Sequence, residues 1–422
     1  MGNTVVSLDI GSSKVCVVLA EINKKQFNIL GVGTSQCKGV KKGIIVDIDS
    51  TVEAILDAVS QAEQMSNREI KSTFVNIPGG YAGLYKNKGV IAVSADNKEI
   101  ISEDVRRVLQ AAKVFSVTSD KEIIDIIKEQ FIVDGYGDIK DPIGMKGVRL
   151  EVDVNLVVAS CTTVQNIVRS VEKSGLKIDG IILEPLGTSM VTLSEDEKEL
   201  GVALVDVGSE TTDISVFNKG DLVYTKMIPV GGGHITSDIS MVCKISSGDS
   251  ENLKRQYGVA TSTLVKPDET VKMSALGGKR EKIVSLYEVA QVMEARISEI
   301  LYLIRDVIEK EDLGESLSAG IVITGGGLFN IKGIQEVAQA HFNIPVRFGY
   351  PNFIGVASPM YSASTGIAIY ALKNKLTSET LSNETKDVAD KEVAADADYD
   401  LDEQGEKSGI LTKVKEFFAD FF

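Results

Sequence analysis

The feature that most constrains this chain is a turn that occurs twice. "LDIGSSK" (8–14) and "VDVGSETTD" (205–213) each leave an apolar strand, set an aspartate at its end, pass through Gly-Ser and enter a second strand-like stretch. Asp9 and Asp206 stand 197 residues apart. Solenoid repeats recur at roughly 20–50 residues, so a repeat on this scale predicts two related half-domains. The strand-like stretches 4–10, 15–22 and 27–34, followed by helical "DSTVEAILDAVSQAEQ" (49–64) with Ser50 as N-cap candidate, predict an α/β layer architecture.

Between about 82 and 160 the texture changes. "SEDVRRVLQAAKVF" (102–115) has a capping-box start at Ser102, "SDKEIIDIIKEQF" (119–131) reads as a second helix, and "GVRLEVDVNLVVAS" (147–160) alternates like a strand. A small inserted αβ subdomain follows from these. A helix over "TTVQNIVRSVEKSG" and a buried strand "IDGIILEP" return to the main layer, residues 282–309 read as one long amphipathic helix, and "AGIVITGGGLFN" is a strand entering a triglycine turn.

An Asp-x-Gly-Ser at a strand end is commonly only a hairpin turn. Such a turn also exposes backbone N–H groups that can cradle phosphate. Around the first turn, Gly11, Ser12 and Ser13 offer that backbone, Lys14 adds a point charge, and Asp9 is suited to a hydrated Mg²⁺. The second turn supplies Gly208, Ser209, Thr211, Thr212 and Asp206 in matching order. Two such turns can close on a triphosphate from opposite sides. Gly325, Gly326 and Gly327, followed by Phe329, let a flat base approach closely.

These three signals in this order resemble the actin-like ATPase superfamily. The resemblance implies an α/β, actin-like, two-lobed fold with ATP and Mg²⁺ as cofactors, Mg²⁺ being held near Asp9 and Asp206 through water. It makes "EPLGTSM" and "SPMYSASTGIAIY" the two connecting helices and matches Glu184 to a water-positioning glutamate, although a carboxylate before Pro185 can equally cap a strand turn. Glu251 and Lys254 of "ENLKRQYG" match ribose-holding residues, and Gly232 and Gly233 are further candidates for holding the nucleotide. The usual second small subdomain has no room near 35–70, and the displaced insertion resembles the FtsA family of bacterial division proteins. That resemblance implies a first core subdomain (1–81 with 161–184), the inserted subdomain (82–160), a second core subdomain (185–225 with 313–374) and a smaller one (226–312). It also implies self-assembly into an actin-like filament and partnership with the tubulin-like FtsZ and other division proteins. FtsZ would dock around 226–312, where Tyr287, Glu294 and Arg296 mark either a partner surface or a plain solvated face. Hydrolysis is expected to be slow at most.

Competing functions on the same fold fit less well. A sugar or acetate kinase needs a further general-base carboxylate motif, which is missing. A chaperone needs a substrate domain after about residue 380, where the sequence is mostly acidic linker. A pilus-assembly relative is the nearest competitor and would lack the tail described next.

From 375 to 408 there is almost nothing to bury, and residues 376–408 hold 11 acidic against 3 basic residues. This predicts a disordered leash. Then 409–422, "GILTKVKEFFADFF", place four of the chain's 13 phenylalanines in the last six positions. At about 100° per residue, Ile410, Leu411, Val414, Phe417, Phe418, Phe421 and Phe422 share one face, with Lys413 and Lys415 at its edges. An interfacial membrane helix is expected, with docking back onto the globular body as the other reading. No stretch approaches the ~18 consecutive apolar residues of a spanning helix, and no signal peptide opens the chain. The expected location is the cytoplasmic face of the cell membrane at the division site. A formal net charge of −15 opposes nucleic-acid binding, and two histidines with four scattered cysteines oppose a zinc site.

Overall fold

The structure, a computed structural model, describes residues 3–23, 26–274 and 281–374. The leash at 375–408 and the apolar face from Ile410 to Phe422 lie outside the described residues. The chain forms two compact units. One combines Met1–Leu84 with Ala159–Ile369; the described part of the other is 85–158 with 370–374.

The larger unit contains the same sheet twice. In the first sheet β1 (Asn3–Ile10) pairs antiparallel with β2 (Lys14–Asn23), and β2 pairs antiparallel with β3 (Gln26–Gln36). On its other edge β1 runs parallel to β6 (Ser72–Ile77), which runs parallel to β11 (Lys177–Leu183). The second sheet repeats each relation. β12 (Val202–Val207) is antiparallel to β13 (Thr212–Asn218), β13 to β14 (Asp221–Ile228), and β12 is parallel to β17 (Ile321–Thr324), which is parallel to β18 (Val346–Phe348). The repeat is exact in register: Asp9 faces Cys16 across the first hairpin, and Asp206 faces Asp213 across the second. Central strands such as β12 are apolar on both faces because helices cover both sides.

A short hairpin, β4 (Val40–Lys41) and β5 (Ile44–Ile45), leads from the first sheet into helix α1 (Ile48–Ser66). The cap of α1 is Asp47, not Ser50: the Asp47 carboxylate accepts from the Ser50 N–H at 3.1 Å, and the helix starts three residues before the sequence periodicity becomes visible. The close fit of α1 on the sheet depends on glycine, since a Cβ at Gly33 would lie 1.8 Å from the Ala58 carbonyl oxygen.

The smaller unit has its own four-stranded sheet, in the order β7 (Ala82–Ala92), β10 (Arg149–Ser160), β8 (Lys121–Val133), β9 (Tyr136–Ile139). Helix α2 (Ser102–Ala112) covers one face, packing Val108, Leu109 and Ala112 on Leu150, Val152, Val154 and Leu156. Two sequence expectations fail here. The stretch 119–131, read as helical, is strand β8. Its two Ile-Ile pairs suit either period, but β-branched side chains favour the extended chain, and sheet partners on both edges decide the outcome. Ser102 lies within α2, whose N-cap is Ile101; Asp104 reaches back to accept from the Ile101 N–H at 3.3 Å.

Helix α3 (Cys161–Lys173) leads back to β11, which ends at α4 (Glu184–Thr192) and the short α5 (Glu195–Leu200). Beyond the second hairpin come α6 (Gly232–Cys243) and α7 (Ser247–Tyr257), then a ribbon of β15 (Thr270–Ser274) and β16 (Glu281–Ser285). The expected helix over 282–309 therefore begins late. Residues 281–285 pair with β15, and α8 (Leu286–Lys310) starts at Ser285, whose hydroxyl caps the Glu288 N–H. Helix α9 (Ile334–His341) precedes β18, and α10 (residues 362–374) closes the described chain. Helices α4 and α10 cross in backbone contact: a Cβ at Gly366 would sit 2.0 Å from the Gly187 carbonyl oxygen.

Candidate functional site

The two hairpin turns have the same geometry. The Gly11 N–H donates to the Lys14 carbonyl at 3.0 Å, and the Gly208 N–H donates to the Thr211 carbonyl at 2.8 Å. The second turn is braced by the start of α6, where Gly232 N–H donates to the Gly208 carbonyl (2.9 Å) and Gly233 N–H to the Ser209 carbonyl (2.7 Å). A third loop closes on these two. A Cβ at Gly232 would meet Gly327 at 2.5 Å, and one at Gly327 would meet the Gly208 carbonyl oxygen at the same distance. Gly325 has φ +87°, and a Cβ there would strike Asp206 Oδ1 at 2.3 Å. Glycine at 232, 325 and 327 is thus a packing requirement that brings three loops together.

Acidic side chains line the floor. Asn76, at the end of β6, donates from Nδ2 to Asp9 Oδ1 (3.0 Å) and to Glu184 Oε2 (2.9 Å), while its Oδ1 accepts from the Ile10 N–H (2.8 Å). Asp213 Oδ1 accepts from the Gly80 N–H at 3.2 Å. Glu184, Asp206 and Asp213 line one small pocket with Gly79, Pro185, Thr188, Leu204 and Ser215, and the buried Thr188 hydroxyl there has no hydrogen-bond partner. Burial pushes all four acids upward. For Asp9 the nearby Lys14 charge works against the rise. Asp206 is pushed to about 7 by burial, then by repulsion from Asp213 and Asp9. Asp213 reaches about 6, burial outweighing its hydrogen bonds from Gly80 and Thr211. Glu184 is held well above the usual carboxylate range by burial and by Asp9, Asp206 and Asp213, against the Asn76 bond.

The remaining sequence candidates divide into those near this floor and those serving the fold. Lys14 donates from Nζ to the Met360 carbonyl, with its ammonium 5.2 Å from the Tyr361 ring centre. Ser12 Oγ accepts from the Gly43 N–H (2.9 Å), and the Ser13 carbonyl accepts from the Cys37 N–H (3.0 Å). Thr212 is buried and donates to the Val230 carbonyl at 2.8 Å, fastening the segment before α6. Lys254, 8% exposed, is paired with Glu251 at 2.7 Å and donates to the Gly232 carbonyl and Thr236 Oγ1. Glu251 is lowered to about 2: burial pushes it up, but bonds from Lys254, Thr236 and Arg255 and the Lys254 charge prevail. Phe329 stands edge-on to Tyr350, ring centres 5.4 Å apart, and Gly326 in the same loop is exposed. Asp213, Asn76 and Glu210 are absent from the sequence candidates. Asp213 was findable, because it is the residue opposite Asp206 once the hairpin is drawn in register.

On α8, Glu294 accepts from the Ser262 N–H (2.8 Å) and Thr261 Oγ1, and Arg296 pairs with Asp238 (2.6 Å) and Glu299. Tyr287 is half-buried in the first turn. Asp238, Met241, Val242, Val292, Ala295, Arg296 and Glu299 line a groove of about 390 Å³ between α6 and α8, with Met241 69% exposed. Among the described residues no helix is long and apolar enough to cross a membrane.

Duplicated sheets meeting at paired glycine turns define an actin-like ATPase fold. Solved structures agree: the PilM–PilN type IV pilus biogenesis complex superposes with a TM-score of 0.60 at 13% identity, covering 87% of this chain and 98% of that one. MreB5 of Spiroplasma citri bound to AMPPNP gives 0.53 at 16% identity, covering 90% and 98%. Sequence relatives narrow the class. The chain is 41% identical to the cell division protein FtsA of Bacillus subtilis over 87% of its length and 83% of the relative's, and 35% identical to FtsA of Pseudomonas aeruginosa over 89% and 90%. FtsA of Escherichia coli K12 is 34% identical over 89% and 92%. The family model for cell division protein FtsA matches residues 203–366, and that for the SHS2 domain inserted in FtsA matches 79–158. The chain belongs to the FtsA family of cell division proteins.

Proposed function

We propose that this chain is an ATP-gated division scaffold. It binds ATP with Mg²⁺ between the two hairpin turns, polymerises head to tail, anchors through residues 409–422 to the cytoplasmic face of the membrane, and tethers FtsZ and other division proteins at the division site. The observation that carries the nucleotide reading is the floor of four carboxyls, Asp9 buried and Glu184, Asp206 and Asp213 partly buried, set beneath two registered glycine turns. Burial and mutual repulsion make these carboxyls resist ionisation, and a cation beside them relieves both, so the floor suits a metal with its attached phosphates. Among the described residues no three His, Cys, Asp or Glu side chains are grouped to grip a metal directly, so Asp9 and Asp206 would hold Mg²⁺ through its water shell. MreB5 of the same fold was solved with AMPPNP, which supports a triphosphate ligand.

The roles follow from position. Backbone N–H groups of Gly11–Ser13 and Gly208–Thr211 would meet the phosphates, with Lys14 turning from the Met360 carbonyl to join them. Gly232 and Gly233 brace the second turn, Glu251 and Lys254 stand for the ribose, and Gly325–Gly327 with Phe329 receive the base. Bound ATP supplies a terminal phosphate whose presence or absence can be sensed. Glu184, hydrogen-bonded to Asn76, is the one candidate for orienting water, and turnover is expected to be slow or undetectable because the nucleotide serves here to hold the scaffold's state.

The family role supports FtsZ as partner, and the α6–α8 groove is the surface offered for it, with Met241, Val242 and Val292 as apolar contacts and Tyr287 at one end of α8. Glu294 and Arg296 hold that surface together through Ser262 and Asp238. The test is co-sedimentation of FtsZ with liposomes, with and without ATP, comparing full-length protein with a version ending at Ser408 and with Phe417→Asp/Phe418→Asp. FtsZ should pellet only with the intact tail. Equal pelleting by all three proteins would refute the tether.

A further inference from the structure

The β4–β5 hairpin carries two consecutive residues in left-handed backbone, Lys42 (φ 49°) and Gly43 (φ 79°). Their N–H groups reach both phosphate-type turns: Lys42 N–H donates to Glu210 Oε2 at 2.6 Å, and Gly43 N–H donates to Ser12 Oγ at 2.9 Å. The hairpin tip is held from behind, because the Tyr81 hydroxyl donates to the Lys42 carbonyl. The neighbouring Gly80 N–H donates to Asp213 Oδ1 at 3.2 Å, so the same support reaches the carboxylate floor. Successive main-chain donors at a tight turn form a concave site suited to an anion, and the Lys42 bond is short, as bonds to an ionised acceptor are. The anion on it here is the chain's own. Glu210 lies between Ser209 and Thr211, at the tip of the turn assigned to the phosphates.

We propose that Glu210 is a tethered competitor of the nucleotide's terminal phosphate for the Lys42 amide, and so sets the preference of this site for nucleoside triphosphate over diphosphate. The inference rests on the nucleotide reading above. With a diphosphate, Glu210 keeps the Lys42 amide, Ser12 keeps the Gly43 amide, and the clasp between the two turns stays as described. A terminal phosphate brings a second anion to the same donor. Glu210 must then give up the Lys42 N–H, and the hairpin exchanges an internal carboxylate for the ligand. Part of the triphosphate's binding energy goes into that exchange, whereas a diphosphate does not incur it.

Glu210→Gln keeps an acceptor for the Lys42 N–H but removes the charge, and Glu210→Gly removes both. Glu210 is half-exposed, so neither change empties a core position. Equilibrium titration of Mg·ATP and Mg·ADP on full-length protein gives the ratio of the two Kd values. Both variants should tighten ATP about tenfold relative to ADP, the scale of one charge-assisted contact. A ratio unmoved in both variants, or ATP binding weakened because Glu210 serves the cation, overturns the inference while leaving the nucleotide reading intact. Wild-type protein that bound neither nucleotide would overturn both.

Discussion

Asp213→Asn should make the nucleotide-free protein more stable, an outcome opposite to that of most changes in a buried polar site. Asp213 titrates near 6 in the folded chain and near 3.8 when unfolded, because burial outweighs its bonds from Gly80 and Thr211. The sign follows from linkage. A carboxyl raised on folding holds its proton more tightly in the native state, so its favourable contribution is complete below about pH 4 and is lost as pH rises through about 6. Above that the ionised Asp213 costs about 3 kcal/mol at most, at ~1.4 kcal/mol per pKa unit, and Asp206 shares the relief when the charge is removed. Asparagine retains the carbonyl oxygen that accepts from Gly80 and carries no charge. Urea unfolding of the nucleotide-free protein from pH 5 to 8 is the assay. Wild type should lose stability as pH rises across this range, and Asp213→Asn should show a shallower slope and be more stable by about 1–3 kcal/mol at pH 7.5. A variant that is less stable at pH 7.5, or that keeps the wild-type slope, would refute the account of the carboxylate floor.

Other outcomes follow from particular contacts. Gly366→Ala sets a methyl 2.0 Å from the Gly187 carbonyl where α4 and α10 cross, and should lower stability by about 2 kcal/mol or more in the same assay. Lys254→Met leaves Glu251 without its main partner at 2.7 Å and should weaken ATP more than it weakens inorganic triphosphate, which has no ribose; equal weakening of both would count against the ribose assignment. Clean removal of 82–160 should abolish filaments seen by electron microscopy while ATP binding remains measurable, since an open filament needs both of its unlike surfaces.

The repeated turn carried much of the architecture in plain sight, because Asp-x-Gly-Ser after an apolar strand is both a fold signal and a chemical one. Pairing β1 with β2 and β12 with β13 needed nothing beyond it. What stayed hidden depends on partners distant in sequence. The Ile-Ile pairs of 123–127 match a helix or a strand, and only β10 and β9 on either side settle the matter. Asp47 caps α1 from outside the helical periodicity, where apolar spacing is blind. Asn76 joins Asp9 to Glu184 through an amide 67 residues from one and 108 from the other, a link that no local pattern announces. Glu294 and Arg296 looked like free surface charges, yet both are engaged by segments that fold onto α8.

A nucleotide and its cation are proposed to sit over the paired carboxylates. Isothermal titration of ATP in the presence and absence of Mg²⁺, on wild type and on Asp206→Ala, addresses that placement most directly. The account predicts Mg²⁺-dependent binding by wild type and loss of that dependence in Asp206→Ala, with affinity reduced at least tenfold, the scale of a lost charge-assisted interaction. Asp206→Ala binding Mg·ATP as tightly as wild type would contradict it.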